Sequence, residues 1–197
     1  EKLLPNKHED FVKAFKFAND KHWDHTRKGT STPYIAHPIA VASLVMENGG
    51  SSEEVIAALL HDVLEDSEEV CFADIESEFG PRVAEIVDGL SDAKPGAGES
   101  KAPWKERKLT YLDHLATVED DSILKVSCAD KLHNARSILS DLNDPRVGVA
   151  VWDKFNASRD GTLWYYDSLV KIFQRRLPET RLASELEASV AAFHSAS

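Results

Sequence analysis

The chain has 197 residues, 42% hydrophobic and 29% charged, enough to bury an ordinary core without disulfide or metal staples. Its 23 Lys and Arg against 34 Asp and Glu give a formal charge of −11, the wrong sign for a general nucleic-acid binder, which needs cations to neutralise phosphates. No apolar run approaches the roughly 18–20 residues that cross a bilayer, and the first residues hold no apolar stretch of a secretory signal, so a cytoplasmic protein with no membrane partner is expected.

Helical spacing runs through the chain. Residues 8–24 place Phe11, Val12, Phe15, Ala18 and Trp23 at helical intervals. Thr26–Pro33 has loop composition, and Pro38 sits where a helix can begin. That helix stops at Asn48-Gly49-Gly50, and Ser51 or Ser52 caps the next, with Glu53 or Glu54 in its first turn. The capped helix carries Val55, Ile56, Leu59, Leu60 and Val63. Helices are further predicted over 72–79, from Pro81 to about Gly89, and over 101–116, 121–141, 145–157, 160–176 and 180–194. Residues 92–100 read as a surface loop. Cys71 and Cys128 fit small core thiols in a reducing compartment. The expectation is an all-α single domain of roughly eight to ten helices spanning 1–197.

The chemistry gathers in four segments. His61-Asp62 and Glu65-Asp66 crowd one end of an apolar helix, with His61 and Glu65, and Asp62 and Asp66, as i, i+4 neighbours. They are either convergent site residues or a solvated helix end. Asp130 lies in an apolar helix, with Asn134 one turn on; it serves a site or pairs with Arg136 or a lysine. His37 precedes Pro38, and Arg27-Lys28 stand in the loop upstream. Taken together, His37, His61, Asp62 and Asp130 form a set of two imidazoles and two carboxylates. That set suits Mn²⁺, with Fe²⁺, Zn²⁺, Co²⁺ or Ni²⁺ as alternatives.

This order of ligands resembles the HD superfamily of metal-dependent phosphohydrolases. More closely, the runs RKGTSTPYIAHP, AALLHDVLEDS and ADKLHNAR resemble the hydrolase domain of the Rel/Spo alarmone enzymes, over about residues 8–176. The synthetase and regulatory parts of the long members do not fit in what remains, so the chain is similar to the stand-alone small alarmone hydrolases. The resemblance implies a helical bundle, one Mn²⁺, and hydrolysis of the small nucleotide (p)ppGpp at its 3′-pyrophosphate. It places the metal ligands on His37, His61, Asp62 and Asp130, and the acidic pair that activates water on Glu65 and Asp66. Nucleotide contacts fall on Arg27, Lys28 and Asn134. In a less secure register they fall on Lys105, Arg159 and Tyr165 or Tyr166.

A metal ion that activates water still leaves the water to be oriented, which Glu65 and Asp66 stand close enough to do. Because the protein is acidic and the substrate polyanionic, a local cationic rim is expected from Arg27, Lys28 and one or more of Lys101, Lys105, Arg107 and Lys108. Two other readings keep the same residues: a phosphohydrolase for another nucleotide, such as the 2′-phosphate of NADPH, or a non-catalytic nucleotide-binding module. Among the remaining histidines, His25 alone stands near the Arg27 loop; His22 and His133 read as surface or packing groups.

Overall fold

A computed structural model describes residues 8–67, 69–91 and 102–195. Ten α-helices follow in order among them: α1 His8–Lys21, α2 Ala36–Glu47, α3 Ser52–Leu60, α4 Val63–Asp66, α5 Phe72–Phe79, α6 Pro81–Leu90, α7 Trp104–Thr117, α8 Asp121–Asn143, α9 Ser158–Arg176 and α10 Arg181–Ser195. A 3₁₀ segment, Gly148–Lys154, joins α8 to α9. No strand occurs among the described residues, only one bridge between Thr26 and Pro33. None of their helices is long and apolar enough to cross a membrane.

Two helices organise the rest. α3 is buried on every side from Glu54 to Leu60, because α1, α2, α6 and α8 all pack on it. Its start is fixed by a reciprocal capping box: Glu54 N–H donates to Ser51 Oγ at 3.2 Å, and Ser51 N–H donates to Glu54 Oε2 at 2.8 Å. Buried Glu54 is also ion-paired with Lys125 of α8 at 2.8 Å. Just before, Gly50 lets the chain turn tightly: a Cβ there would stand 2.8 Å from the Val45 carbonyl oxygen. α8 packs against α2, α3, α6, α9 and α10. α9 ties back to α7 through Arg176, which donates to the Ala116 carbonyl at 2.7 Å and to that of Val118.

Five expectations are corrected. Of the apolar residues expected at helical intervals over 8–24, Ala18 is buried but Val12 and Phe15 are exposed while Ala14 is buried, and α1 ends at Lys21, before exposed Trp23. Residues 145–157 form no α-helix. Gly148 sits at φ +54°, outside the helical region, and only a 3₁₀ turn follows. The predicted helix through Val63 breaks at His61–Asp62, and α4 restarts behind it. Cys128 is buried, but Cys71 is exposed at the start of α5. Pro38 lies inside the first turn of α2 rather than at its start, a place where its missing N–H is still unused. The loop expected over 92–100, and Lys101, lie outside the described residues.

Candidate metal centre

Three mutually packed helices deliver the site. His37 lies in the first turn of α2, His61 and Asp62 at the end of α3, and Asp130 midway along α8. On a continuous helix, neighbours point about 100° apart. At His61–Asp62, where both residues keep right-handed helical dihedrals, His61 Nε2 still comes within 3.0 Å of Asp62 Oδ2. His61 is buried and Asp62 partly so, which excludes the solvated helix end.

The four side chains converge. His37 Nε2 lies 3.2 Å from His61 Nε2, 3.0 Å from Asp130 Oδ1 and 3.7 Å from Asp62 Oδ2. His61 Nε2 lies 3.8 Å from Asp130 Oδ1. Ligands bound to one divalent ion at about 2.1 Å stand about 3.0 Å apart at right angles and about 3.4 Å apart in a tetrahedron. The donor atoms of His37, His61 and Asp62 all lie within 4.8 Å of one another, which fits a single ion, and Asp130 stands beside both imidazoles.

The donor chemistry agrees. His61 Nδ1 donates to the Ala58 carbonyl at 2.7 Å, so a neutral His61 turns a lone pair at Nε2 toward Asp62. Lone pairs from an imidazole and two carboxylates aimed at one point need a cation among them. Burial disfavours charge on His61, but Asp62 and Asp130 outweigh it and push the imidazole up to about 9. Burial likewise opposes ionisation of both carboxylates. His61 overrides it at Asp62, and Lys131 with His37 overrides it at Asp130, holding both far below their ordinary values.

A second layer holds these ligands. Tyr34 Oη donates to Asp62 Oδ2 at 2.5 Å. Asn134 Nδ2 donates to Asp130 Oδ1 at 2.6 Å, and Arg27 donates to Asn134 Oδ1 at 2.7 Å. Lys131, not Arg136, is the cation on Asp130, at 2.6 Å; Arg136 pairs with Glu185 instead. His37 Nδ1 and His133 Nδ1 are 2.7 Å apart. Burial, then His37 and Arg27, push His133 down to about 4, so at neutral pH its ring is neutral and one of the two Nδ1 atoms donates to the other.

Two cavities meet at the cluster. The larger, about 620 Å³, opens beside His37 and Asn134 and is walled by Arg27, Lys28, Lys108 and Lys154, with Trp104 and Tyr166 among its aromatic residues. Gly29, at φ +72°, lets the Arg27 loop lie on Lys154: a Cβ there would stand 3.2 Å from the lysine stem. The smaller cavity, about 40 Å³, is lined by His61, Asp62, Asp130 and Glu65. Asp66 lies on the α1 side, 4.0 Å from His22 Nδ1. Burial, then the Asp62 and Glu65 carboxylates, push Asp66 up to about 6.

The structure thus brings His37, His61, Asp62, Asp130, Asn134, Arg27, Lys28, Glu65 and Tyr166 to the cluster or its cavities. It does not bring Lys105 or Arg159 there, and Asp66, exposed beside Glu65, lines neither cavity. Lys105 lies over the Trp164 ring at 5.5 Å, and Arg159 faces Asp160 at 3.9 Å. Neither lines the cavity; Lys108, one turn further along α7, does. Sequence reasoning missed His133, Tyr34, Lys131 and Lys154 at the site. The first three carried a signal, since all fall inside the quoted runs PYIAHP and ADKLHNAR. Buried His22 was missed as well; its Nδ1 lies 3.2 Å from His25 Nδ1.

Comparison with known proteins agrees with this geometry. The HD domain family model matches residues 14–163. A guanosine-3′,5′-bis(diphosphate) 3′-pyrophosphohydrolase of Aquifex aeolicus is 38% identical over 153 residues, 76% of this chain and 21% of that protein. The bifunctional (p)ppGpp synthase/hydrolase SpoT of Escherichia coli is 34% identical over 142 residues, 70% of this chain and 19% of that protein. The chain therefore spans about a fifth of the length of these curated relatives. A solved structure of a metazoan orthologue of SpoT, described as hydrolysing ppGpp and acting in starvation responses, superposes with a TM-score of 0.75 at 26% identity, covering 98% of both chains. Convergent His37, His61, Asp62 and Asp130 on packed helices, within a family match over most of the chain, make this protein a member of the HD domain family.

Proposed function

We propose that the chain hydrolyses the 3′-pyrophosphate of (p)ppGpp, giving GDP or GTP and pyrophosphate, with one Mn²⁺ as cofactor and a cytoplasmic setting. One observation carries the reading. A cavity of about 620 Å³, walled by cations and aromatic rings, abuts the four-ligand cluster in a protein of net charge −11. Its size suits a nucleotide, and its cations suit phosphates that the rest of the surface repels. The relatives named for this activity support it, as does the metazoan structure, matched over its whole length.

A divalent ion held by His37, His61, Asp62 and Asp130 supplies Lewis acidity toward a phosphoryl oxygen and a lowered water pKa. The chain does the rest. Arg27 and Lys28 line the large cavity and hold phosphate charge, and Tyr166 and Trp104 offer rings to the base. Asn134, oriented by Arg27 and bonded to Asp130, faces the sugar side. Glu65 lines the small cavity and orients the attacking water. Glu65 also takes the water proton, and Asp66, which lines neither cavity, stands beside it as the second carboxylate of the pair. The water oxygen bonds to the phosphorus on O3′. The O3′–P bond breaks, and O3′ leaves with the electron pair and gains a proton from solvent in the open cavity.

The test is product analysis on metal-stripped protein with and without restored Mn²⁺, with ppGpp and NADPH as parallel substrates. GDP and pyrophosphate from ppGpp, only with metal, is the expected result. Faster release of phosphate from NADPH, or no turnover of either by metal-loaded protein, overturns the reading.

A further inference from the structure

Lys108 and Lys131 line both cavities. Their ammonium groups flank one ring: Lys131 Nζ is 5.0 Å and Lys108 Nζ 5.8 Å from the centre of Tyr111. Lys108 is also 5.3 Å from the Tyr165 ring. Two ammonium groups at the junction of the cavities offer paired charge to an oxyanion. Asp130, at 2.6 Å from Lys131, supplies one negative charge and also serves the metal cluster. A second feature points the same way. Tyr165 is buried, and its hydroxyl has no hydrogen-bond partner among the described residues. A buried donor beside two ammonium groups fits an oxyanion acceptor.

The in-line geometry of phosphoryl transfer gives the junction its role. Attacking and leaving oxygens stand on opposite sides of the phosphorus. The nucleoside fits only the large cavity, and Glu65 lines the small one. The reacting phosphorus therefore sits between them. A cavity of about 40 Å³ has room for water but not for a further phosphate group, so that group must lie sideways, at the junction.

We infer that Lys108, with Lys131 beside it, seats the terminal phosphate of a pyrophosphoryl group and so selects a 3′-pyrophosphate over a 3′-monophosphate. The assignment rests on the hydrolase reading above. Lys108 is the better probe, because Lys131 also holds a metal ligand.

The experiment compares wild type, Lys108→Met, Lys108→Gln and Lys108→Arg, each with matched metal content and helix content. The ligands are ppGpp and guanosine 5′-diphosphate 3′-monophosphate, the latter as substrate or competitive inhibitor. The expected result is a 30-fold or larger loss of kcat/KM for ppGpp in the Met and Gln variants, with less than threefold change in affinity for the 3′-monophosphate. Inhibition by product pyrophosphate weakens in parallel, and Arg restores most of the loss. Equal losses for both ligands, or unchanged pyrophosphate inhibition, overturn the assignment while leaving the hydrolase reading intact. Wild type inactive on ppGpp removes that reading and this inference with it.

Discussion

Replacing His133 with Phe tests how the cluster is held. His37 is 2% exposed, and its Nδ1 lies 2.7 Å from His133 Nδ1. When Nε2 of His37 binds a metal ion, the ring proton must sit on Nδ1 and needs an acceptor. His133 provides it, because burial keeps that imidazole neutral down to about pH 4. Phe keeps the ring shape and removes the acceptor. In the metal-free protein His37 escapes the loss by carrying its proton on Nε2, where Asp130 Oδ1 accepts at 3.0 Å. The penalty thus falls on the bound state alone. A buried unsatisfied N–H costs about 1–3 kcal/mol, and lost outer partners of metal ligands weaken affinity about 10–100-fold. Competition with a chelating dye measures the metal Kd, and thermal unfolding checks the metal-free protein. The expected result is a Kd raised about 10–100-fold, an almost unchanged metal-free Tm, and recovery in His133→Asn, whose amide oxygen accepts. A Kd within twofold of wild type refutes the reasoning.

Further expectations follow from the same contacts. Asp66, faced by Glu65, Asp62, His22, His25 and His61, is pushed up to about 6; its charge beside Glu65 is lost as pH falls through that value, and kcat/KM falls with it. An acid limb unchanged in Asp66→Asn removes Asp66 from the acidic pair. Glu54→Ala removes half of a capping box and the partner of Lys125, a loss of about 1–3 kcal/mol. Each kcal/mol lowers Tm by about 2–4 °C, and an unchanged Tm denies that this tie secures α3. Native protein shows one fast thiol toward a disulfide reagent, Cys71, because Cys128 is buried and burial pushes its thiol up; two fast thiols would place Cys128 at the surface. Added salt raises KM for the nucleotide more than it changes kcat, since Arg27 and Lys28 act at a cavity open to solvent; a flat KM removes them from substrate capture.

The helices and the metal cluster were legible in the sequence for different reasons. Helix positions follow from local spacing and caps, so Ser51 or Ser52 with Glu53 or Glu54 marks the start of α3 to within a residue, and the structure selects Ser51 and Glu54. The ligands follow from polar residues placed where an apolar helix would leave them unpaired, as at Asp130 among Val126, Ala129 and Leu132. What failed needs tertiary information. The burial of Ala14 in place of Val12 depends on α3 approaching α1 closely enough for small side chains. His61 converges on His37 of another helix, which spacing along one helix cannot reveal. Lys105 and Lys108 are equivalent by composition. Only the position of α7 against α9 puts Lys108 at the cavity and Lys105 on Trp164.

Turnover of ppGpp in ¹⁸O-enriched water, with Mn²⁺ and with chelator, tests the central claim most directly. The account predicts that metal-loaded protein releases GDP with an unlabelled 3′ oxygen and pyrophosphate carrying one ¹⁸O, and that chelator abolishes both. Label on the nucleoside, release of orthophosphate in place of pyrophosphate, or undiminished turnover with chelator would contradict it.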